Sequence, residues 1–130
     1  MKLSYFLFTI ILSLGSLSIH AQIADTDTLR SLTVRKGTVI VDVRTVEEYD
    51  EGHIESSINI PLQTLADSIE CLKHYEKVIV ICRSGRRSAK AKAELEEAGF
   101  TNVYNGGGWE HLKAILEARE EESHGKFSSL

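Results

Sequence analysis

Two continuous runs of apolar residues constrain what this 130-residue chain can fold into. Residues 38–43 and 77–81 are rich in valine and isoleucine and show little alternation between polar and apolar positions. Strands that are apolar on both faces are typical of parallel sheets covered by helices on each side. The two runs therefore predict two buried strands of a parallel sheet.

Weaker strand patterns and helical patterns alternate with these two runs. Residues 58–60, which precede the only proline, and residues 103–104 predict two shorter strands, and residues 105–108 predict a turn without side-chain bulk. Helical spacing of apolar residues or a capping residue is found in residues 29–34, 45–49, 63–74, 88–98 and 109–119. The alternation predicts the α/β class: a single domain with a mainly parallel central sheet flanked by helices.

The N-terminal segment has the order of a secretory signal peptide. Lys2 precedes an apolar stretch, residues 5–17, and Ala21 follows a short polar segment. We expect residues 1–21 to be removed near Ala21, so that the mature chain is periplasmic or secreted and has no membrane association. The apolar stretch is short for a spanning helix, which needs about 20 residues, but an uncleaved membrane anchor remains the alternative.

The remaining chain divides into a domain, residues 22–119, and a charged C-terminal tail, residues 120–130, which we expect to be flexible. The net charge of -4 argues against nucleic acid as a partner, because the basic charge is confined to one loop rather than spread over a face. His74 and His111 have no neighbours at the spacing of metal ligands, so we expect no metal site.

A cysteine between a strand and a helix is the candidate reactive group. Cys82 ends the second apolar run and begins a loop that contains Arg83, Arg86 and Arg87. Loop N–H groups, the N-terminus of the following helix and three arginines all favour a thiolate, which is the nucleophilic form of cysteine. The alternative is a buried core cysteine, but such a residue does not need arginines beside it.

The other cysteine, Cys71, falls in a helical segment. In an exported protein two cysteines can form a disulfide, but a bond between Cys71 and Cys82 would block the thiol that the loop favours. Whether the two cysteines pair is left open by the sequence.

Three segments are expected to meet at one edge of the sheet. Cys82, the pair Asp42 and Arg44, and the glycine turn each follow a predicted strand, and reactive sites of parallel sheets lie at the carboxyl ends of the strands. Asp42 and Arg44 are predicted to form an internal ion pair that fixes this edge. Trp109 is predicted to pack at a helix start, with a place in the pocket wall as the alternative.

Taken with their order and spacing, three sequence blocks resemble the rhodanese family of sulfurtransferases over nearly all of the chain after residue 21. The first block is VDVR at 41–44 with EEY, GHI and INIPL up to residue 62. The second is CRSGRRS at 82–88, and the third is NGGGW at 105–109. The length suggests a single-domain member with its active-site loop at the carboxyl end of a strand.

The resemblance implies a reaction in two steps. The Cys82 thiolate takes the sulfane sulfur of a donor such as thiosulfate, sulfite leaves, and a thiol or cyanide then accepts the sulfur from the Cys82 persulfide. A protein that supplies or accepts a persulfide is a further candidate partner. No metal or organic cofactor is needed. The residues expected to bind the small sulfur-containing anion are Arg83, Ser84, Gly85, Arg86, Arg87 and Ser88.

Two departures from the family pattern affect the choice of donor. Some members that use thiosulfate have a basic residue where this chain has Glu48, and a lysine where it has Ser84. A persulfide carrier with little thiosulfate turnover is therefore the first alternative. A phosphatase or arsenate reductase of the same fold is the second, although the loop places Ser88 where a Cys-x5-Arg phosphate loop needs arginine.

Overall fold

The structure, a computed structural model, describes residues 22–128, so the predicted signal peptide lies outside it. Four parallel strands form one sheet in the order β2-β1-β3-β4. Their bounds are β1 Thr38–Asp42, β2 Ser57–Asn59, β3 Lys77–Cys82 and β4 Val103–Gly108. The predicted α/β class and the single parallel sheet are confirmed, and the two apolar runs are the neighbouring central strands β1 and β3.

Helices cover both faces of this sheet. They are α1 Thr26–Leu32, α2 Val46–Glu51, a 3-10 helix Leu62–Ser68, α3 Ile69–Leu72, α4 Arg86–Glu97 and α5 Trp109–Ser128. Alternate residues of β3 enter two separate cores: Val78 and Val80 pack with Leu95 of α4, while Ile79 and Ile81 pack with residues of α1 and α5. The double coverage explains why the strand sequences show no polar alternation.

Two element bounds differ from the sequence prediction near the carboxyl edge. Helix α4 begins at Arg86 rather than at residue 88, because Gly85 adopts a left-handed conformation with φ 97° and serves as the N-cap. Strand β4 continues to Gly108, so the predicted turn at residues 105–108 is wrong. The strand accommodates these residues through a register shift opposite Val80 and Ile81.

Residues 120–128 of the segment predicted to be a flexible tail are helical in the structure, and the flexibility of the segment stays a prediction. Helix α5 continues through these residues to Ser128. The side chains of Ser123 and His124 bond the carbonyl of Glu120, and Glu122 pairs with Arg30 of α1 at 3.3 Å. No helix among residues 22–128 is both long and apolar enough to cross a membrane.

The first described residues lie along the outer edge of β4. Ile23 forms a parallel bridge with Asn105, and the Ala24 N–H donates to the Asn105 carbonyl at 2.8 Å. The Ile23 side chain occupies the space beside Gly85 and Gly107, where an added Cβ would come within 3.0 Å of it. The segment therefore covers the sheet edge next to the Cys82 loop.

Gly106 is required by packing rather than by a turn. A Cβ at this position would lie 2.7 Å from the Cγ2 atoms of both Ile79 and Ile81 on the neighbouring strand. Both are β-branched side chains with little rotamer freedom, so they cannot move aside without strain. The glycine allows β4 to lie close against β3 where β3 reaches the active edge.

We expect Gly106→Ala to lower the free energy of unfolding by about 1–3 kcal/mol, as overpacking of a filled core does. Urea denaturation followed by circular dichroism measures this change. Gly125→Ala is the control, because a Cβ there meets nothing within 4 Å and alanine favours a helix. Equal stabilities for the two variants would contradict the packing argument.

Candidate active site

Strand β3 carries Cys82 to the carboxyl edge of the sheet. The Cys82 side chain is 1% exposed, and its sulfur lies beneath the loop that connects β3 to α4. The Gly85 N–H donates to Sγ at 3.0 Å, and the Ser88 hydroxyl oxygen lies 3.4 Å from Sγ. The loop therefore directs hydrogen-bond donors at the sulfur, as the sequence predicted.

These donors favour the ionised form of the thiol. Burial raises the pKa of Cys82, but hydrogen bonds from the Ser88 hydroxyl and from the backbone N–H groups of Ser88, Ser84 and Gly85 outweigh burial. The pKa consequently lies below the ordinary value of 9.0. A buried sulfur that is nonetheless easier to ionise is the state expected of a nucleophile rather than of a core cysteine.

A buried amide holds the loop in place. Asn105 of β4 is 1% exposed, and its Oδ1 accepts from the Ser88 hydroxyl at 2.7 Å and from the Gly107 N–H at 3.0 Å. Its Nδ2 donates to the Gly85 carbonyl at 3.3 Å. Asn105 thus connects β4 to both residues that contact the sulfur.

Sequence reasoning missed this role, because it placed Asn105 in a turn. The sequence signal for this role was the position of Asn105, whose amide side chain follows Val103 and Tyr104 and precedes three glycines. The network also constrains Ser88, which has one hydroxyl proton. When that proton turns to the Cys82 thiolate, Asn105 Oδ1 keeps the Gly107 N–H as a donor.

Asp42 and Arg44 form a buried ion pair at the end of β1. The Arg44 Nη2 donates to Asp42 Oδ2 at 2.7 Å, and the two side chains are 4% and 0% exposed. Arg44 also donates to the carbonyls of Gly52 and Glu48, at 2.7 and 3.3 Å. These bonds join the end of β1 to α2 and so stabilise the active edge, which is the carboxyl edge of the sheet where Cys82 lies. The charges of Asp42 and Arg44 are directed at each other.

Trp109 covers this pair from the start of α5. The Arg44 guanidinium lies over the indole ring, 4.5 Å from its centroid, which is a cation–π contact. Trp109 is half-buried and packs against the second core. The structure therefore places Trp109 with Arg44, in the packing role that the sequence favoured.

The three loop arginines have different environments. Arg83 and Arg86 are exposed, and among residues 22–128 no carboxylate forms an ion pair with either of them. Arg87 is half-buried and donates through two nitrogens to Glu48 of α2, at 2.6 and 2.9 Å. Hydrogen bonds from Arg87 lower the pKa of Glu48 to about 2 against the opposing effect of burial, so Glu48 stays ionised.

Cys71 lies outside this site. It is exposed on α3, and its Sγ donates to the Ser68 carbonyl at 2.9 Å. Both cysteines are free in the structure, so Cys82 keeps its thiol. Within the described part of the chain, no group of three or more histidine, cysteine, aspartate or glutamate side chains is arranged to hold a metal ion.

The fold and the site together define a class: a parallel α/β domain that presents a cysteine within a loop of N–H donors at a strand end. The sequence model described as "Rhodanese-like domain" matches residues 25–115. The chain therefore belongs to the rhodanese family, as the sequence blocks predicted.

Relatives of this chain carry more than one function in their names. It is 40% identical over 70 residues to the thiosulfate sulfurtransferase PspE of Escherichia coli, which covers 52% of this chain and 67% of that protein. It is 35% identical over 105 residues to a tRNA uridine(34) hydroxylase of Buchnera aphidicola, covering 76% of this chain. The chain spans only 33% of that hydroxylase.

A solved structure described as a rhodanese with anions from E. coli superimposes with a TM-score of 0.53 at 37% identity. The match covers 56% of this chain and 88% of that chain. The likeness therefore extends over most of that solved chain.

The hydrogen bonds to Sγ predict how Cys82 titrates. Removing the hydroxyl in Ser88→Ala should raise the pKa of Cys82, because the thiolate loses one of the hydrogen bonds that stabilise it. The rate of iodoacetamide alkylation, measured across a pH series in the Cys71→Ser background, reports the midpoint.

Ser84→Ala is the matched control, because Ser84 is exposed and acts on the sulfur through its backbone N–H, which the substitution keeps. Its alkylation midpoint should equal that of the parent. Equal midpoints for the Ser88 and Ser84 variants would show that the Ser88 hydroxyl does not stabilise the thiolate.

Proposed function

We propose that this protein is a sulfurtransferase that moves a sulfane sulfur from a donor to a thiophilic acceptor through a Cys82 persulfide. The observation that carries the proposal is the environment of Cys82: a buried sulfur with a Gly85 N–H at 3.0 Å and a lowered pKa. The name of the PspE relative, a thiosulfate sulfurtransferase, supports the same reaction class.

The chemistry requires no net oxidation when thiosulfate is the donor. The Cys82 thiolate attacks the sulfane sulfur, the S–S bond of thiosulfate breaks, and its electron pair leaves with sulfite. A thiol or cyanide then attacks the outer sulfur of the Cys82 persulfide and departs as a persulfide or as thiocyanate. The second displacement returns Cys82 to the thiolate.

The residues around Cys82 fit these two displacements. The N–H groups of the loop stabilise an anionic sulfur, and they are already in position before the donor arrives. Arg83 and Arg86 supply exposed positive charge on the residues that follow Cys82, where it is available to the oxygens of an anionic donor. Gly85, as the left-handed N-cap of α4, lets the backbone turn its N–H toward Sγ.

A persulfide carrier is the second candidate, and the environment of Arg87 favours it. Three arginines were expected to bind thiosulfate, but Arg87 donates its hydrogen bonds to the Glu48 carboxylate instead. A carrier would keep the Cys82 chemistry and exchange sulfur with a partner protein. A phosphatase or arsenate reductase receives less support, because the position that would need an arginine is Ser88, which is bonded to Asn105.

Under this proposal Cys82→Ser abolishes sulfur transfer, because serine is similar in size but is a far weaker nucleophile. Transfer from thiosulfate to cyanide, measured as thiocyanate, should fall to the background rate. Mass spectrometry after thiosulfate treatment should find the mass of one added sulfur on Cys82 in the parent protein only.

Cys71→Ser is the control and should keep most of the activity, since Cys71 is exposed on α3 and bonded to Ser68. An equal loss of activity in the two variants would replace the single-thiol mechanism with one that uses both cysteines. Full activity of Cys82→Ser would exclude the proposal.

We also propose that the chain is exported and acts in the periplasm or outside the cell. The proposal rests on Lys2, the apolar residues 5–17 and Ala21. Cleavage after Ala21 would keep Ile23 and its bridge to Asn105 in the mature chain.

N-terminal sequencing of the protein from its native cell should begin at or near Gln22. Replacing residues of the apolar stretch by charged residues should retain an uncleaved chain in the cytoplasm. Recovery of the unaltered protein with an intact Met1 in the cytoplasmic fraction would be incompatible with export.

A further inference from the structure

The ion pair between Glu48 and Arg87 joins α2 to α4, the helix that follows the Cys82 loop. Glu48 lies in the first turn of α2 and Arg87 in the first turn of α4. The guanidinium meets the carboxylate through two parallel hydrogen bonds of 2.6 and 2.9 Å. Such a bidentate pair fixes the direction of the arginine as well as its charge.

Glu48 is held in place independently of Arg87. Its side chain accepts from the Thr45 N–H at 3.3 Å, and the Thr45 hydroxyl accepts from the Glu48 N–H at 3.2 Å, which completes a capping box. The carboxylate is therefore positioned by the start of α2, and it determines where the Arg87 side chain lies.

Arg87 lies in the chain between Gly85 and Ser88, the two residues that contact the Cys82 sulfur. The hydrogen bond from Glu48 raises the pKa of Arg87, and the charges of Cys82 and Asp42 raise it further. An arginine that interacts electrostatically with the Cys82 thiolate would also attract an anionic sulfur donor that approaches this thiolate. In this chain that attraction is offset by a carboxylate on the same guanidinium.

The consequence differs between donors of different charge. Thiosulfate brings two negative charges to a site that already contains the Cys82 thiolate and the Glu48 carboxylate. An organic persulfide, R–S–SH, is more acidic than a thiol and brings one negative charge on its sulfurs, as R–S–S⁻. The loss of Arg87 as a free cation therefore penalises thiosulfate more than it penalises a persulfide.

We propose that Glu48 is a specificity-determining residue that, by binding Arg87, directs the site toward organic persulfide donors and away from thiosulfate. The inference rests on the proposed sulfurtransferase function and names its donor class. In the balanced step the Cys82 thiolate attacks the outer sulfur of R–S–SH and the S–S bond of the donor breaks. The electron pair leaves with the thiolate RS⁻, and Cys82–S–SH remains.

The test compares Glu48→Gln with Glu47→Gln. Both remove one negative charge from the first turn of α2, but Glu47 is exposed and forms no ion pair with Arg87. Glutamine at position 48 keeps an oxygen for the Thr45 N–H, so the capping box is retained. Cysteine persulfide and thiosulfate serve as the two donors, and kcat/KM is measured for each.

We expect Glu48→Gln to raise the ratio of thiosulfate to persulfide kcat/KM about tenfold, the effect of one charge-assisted hydrogen bond. Glu47→Gln should leave the ratio within about twofold, as expected for an exposed charge. Adding Arg87→Gln to Glu48→Gln should reverse the gain, because the effect depends on a released arginine. Equal ratios in the two single variants would overturn the proposal.

A binding measurement separates this inference from the proposed function. Sulfate, which cannot donate sulfur, should protect Cys82 from iodoacetamide at about tenfold lower concentration in Glu48→Gln than in Glu47→Gln. If neither donor supported turnover, the sulfurtransferase function would fail while the protection still reported the action of Glu48 on anions. Equal protection of Cys82 by sulfate in the two variants would show that Glu48 does not weaken anion binding, and it would overturn the inference even if both donors supported turnover.

Discussion

The central strand β3 is buried on both faces, and this constraint determines where the site can lie. Residues 78–81 are completely buried, and they divide the interior into two cores that helices cover from opposite sides. A strand with no exposed face can present a reactive side chain only at its end. Cys82 is the last residue of β3, where the chain leaves the sheet. The position of the thiol is thus a consequence of how the core is built.

The active edge is stabilised by polar groups that satisfy one another. Asp42 and Arg44 are buried as a pair, so neither contributes an uncompensated charge beside the sulfur. Asn105 connects the loop to β4 through neutral hydrogen bonds, which hold Gly85 and Ser88 without adding negative charge. The hydrogen bonds to Cys82 can therefore favour the thiolate even though the sulfur is buried.

The sequence was sufficient for features that depend on local pattern. The two apolar runs predicted the central strands, and the strand–loop–helix pattern around Cys82 predicted hydrogen-bond donors beside the sulfur. The missed features depend on partners far apart in the chain. Glu48 and Arg87 are 39 residues apart, and the bound arginine follows from how α2 and α4 meet. The extension of β4 to Gly108 depends on close packing against β3, which a run of glycines does not reveal.

Ile23 and Ala24 occupy part of the sheet edge at which a second copy of the protein would pair with β4. Strand β4 is a terminal strand of the sheet, and its three glycines have no side chains to keep another strand away. Open edges of this kind promote pairing between molecules and aggregation. The bridge from Ile23 to Asn105 occupies that edge beside the loop, and the isoleucine side chain fills the space next to Gly107. A short segment ahead of the first helix thereby covers the sheet edge beside the loop that contains Cys82.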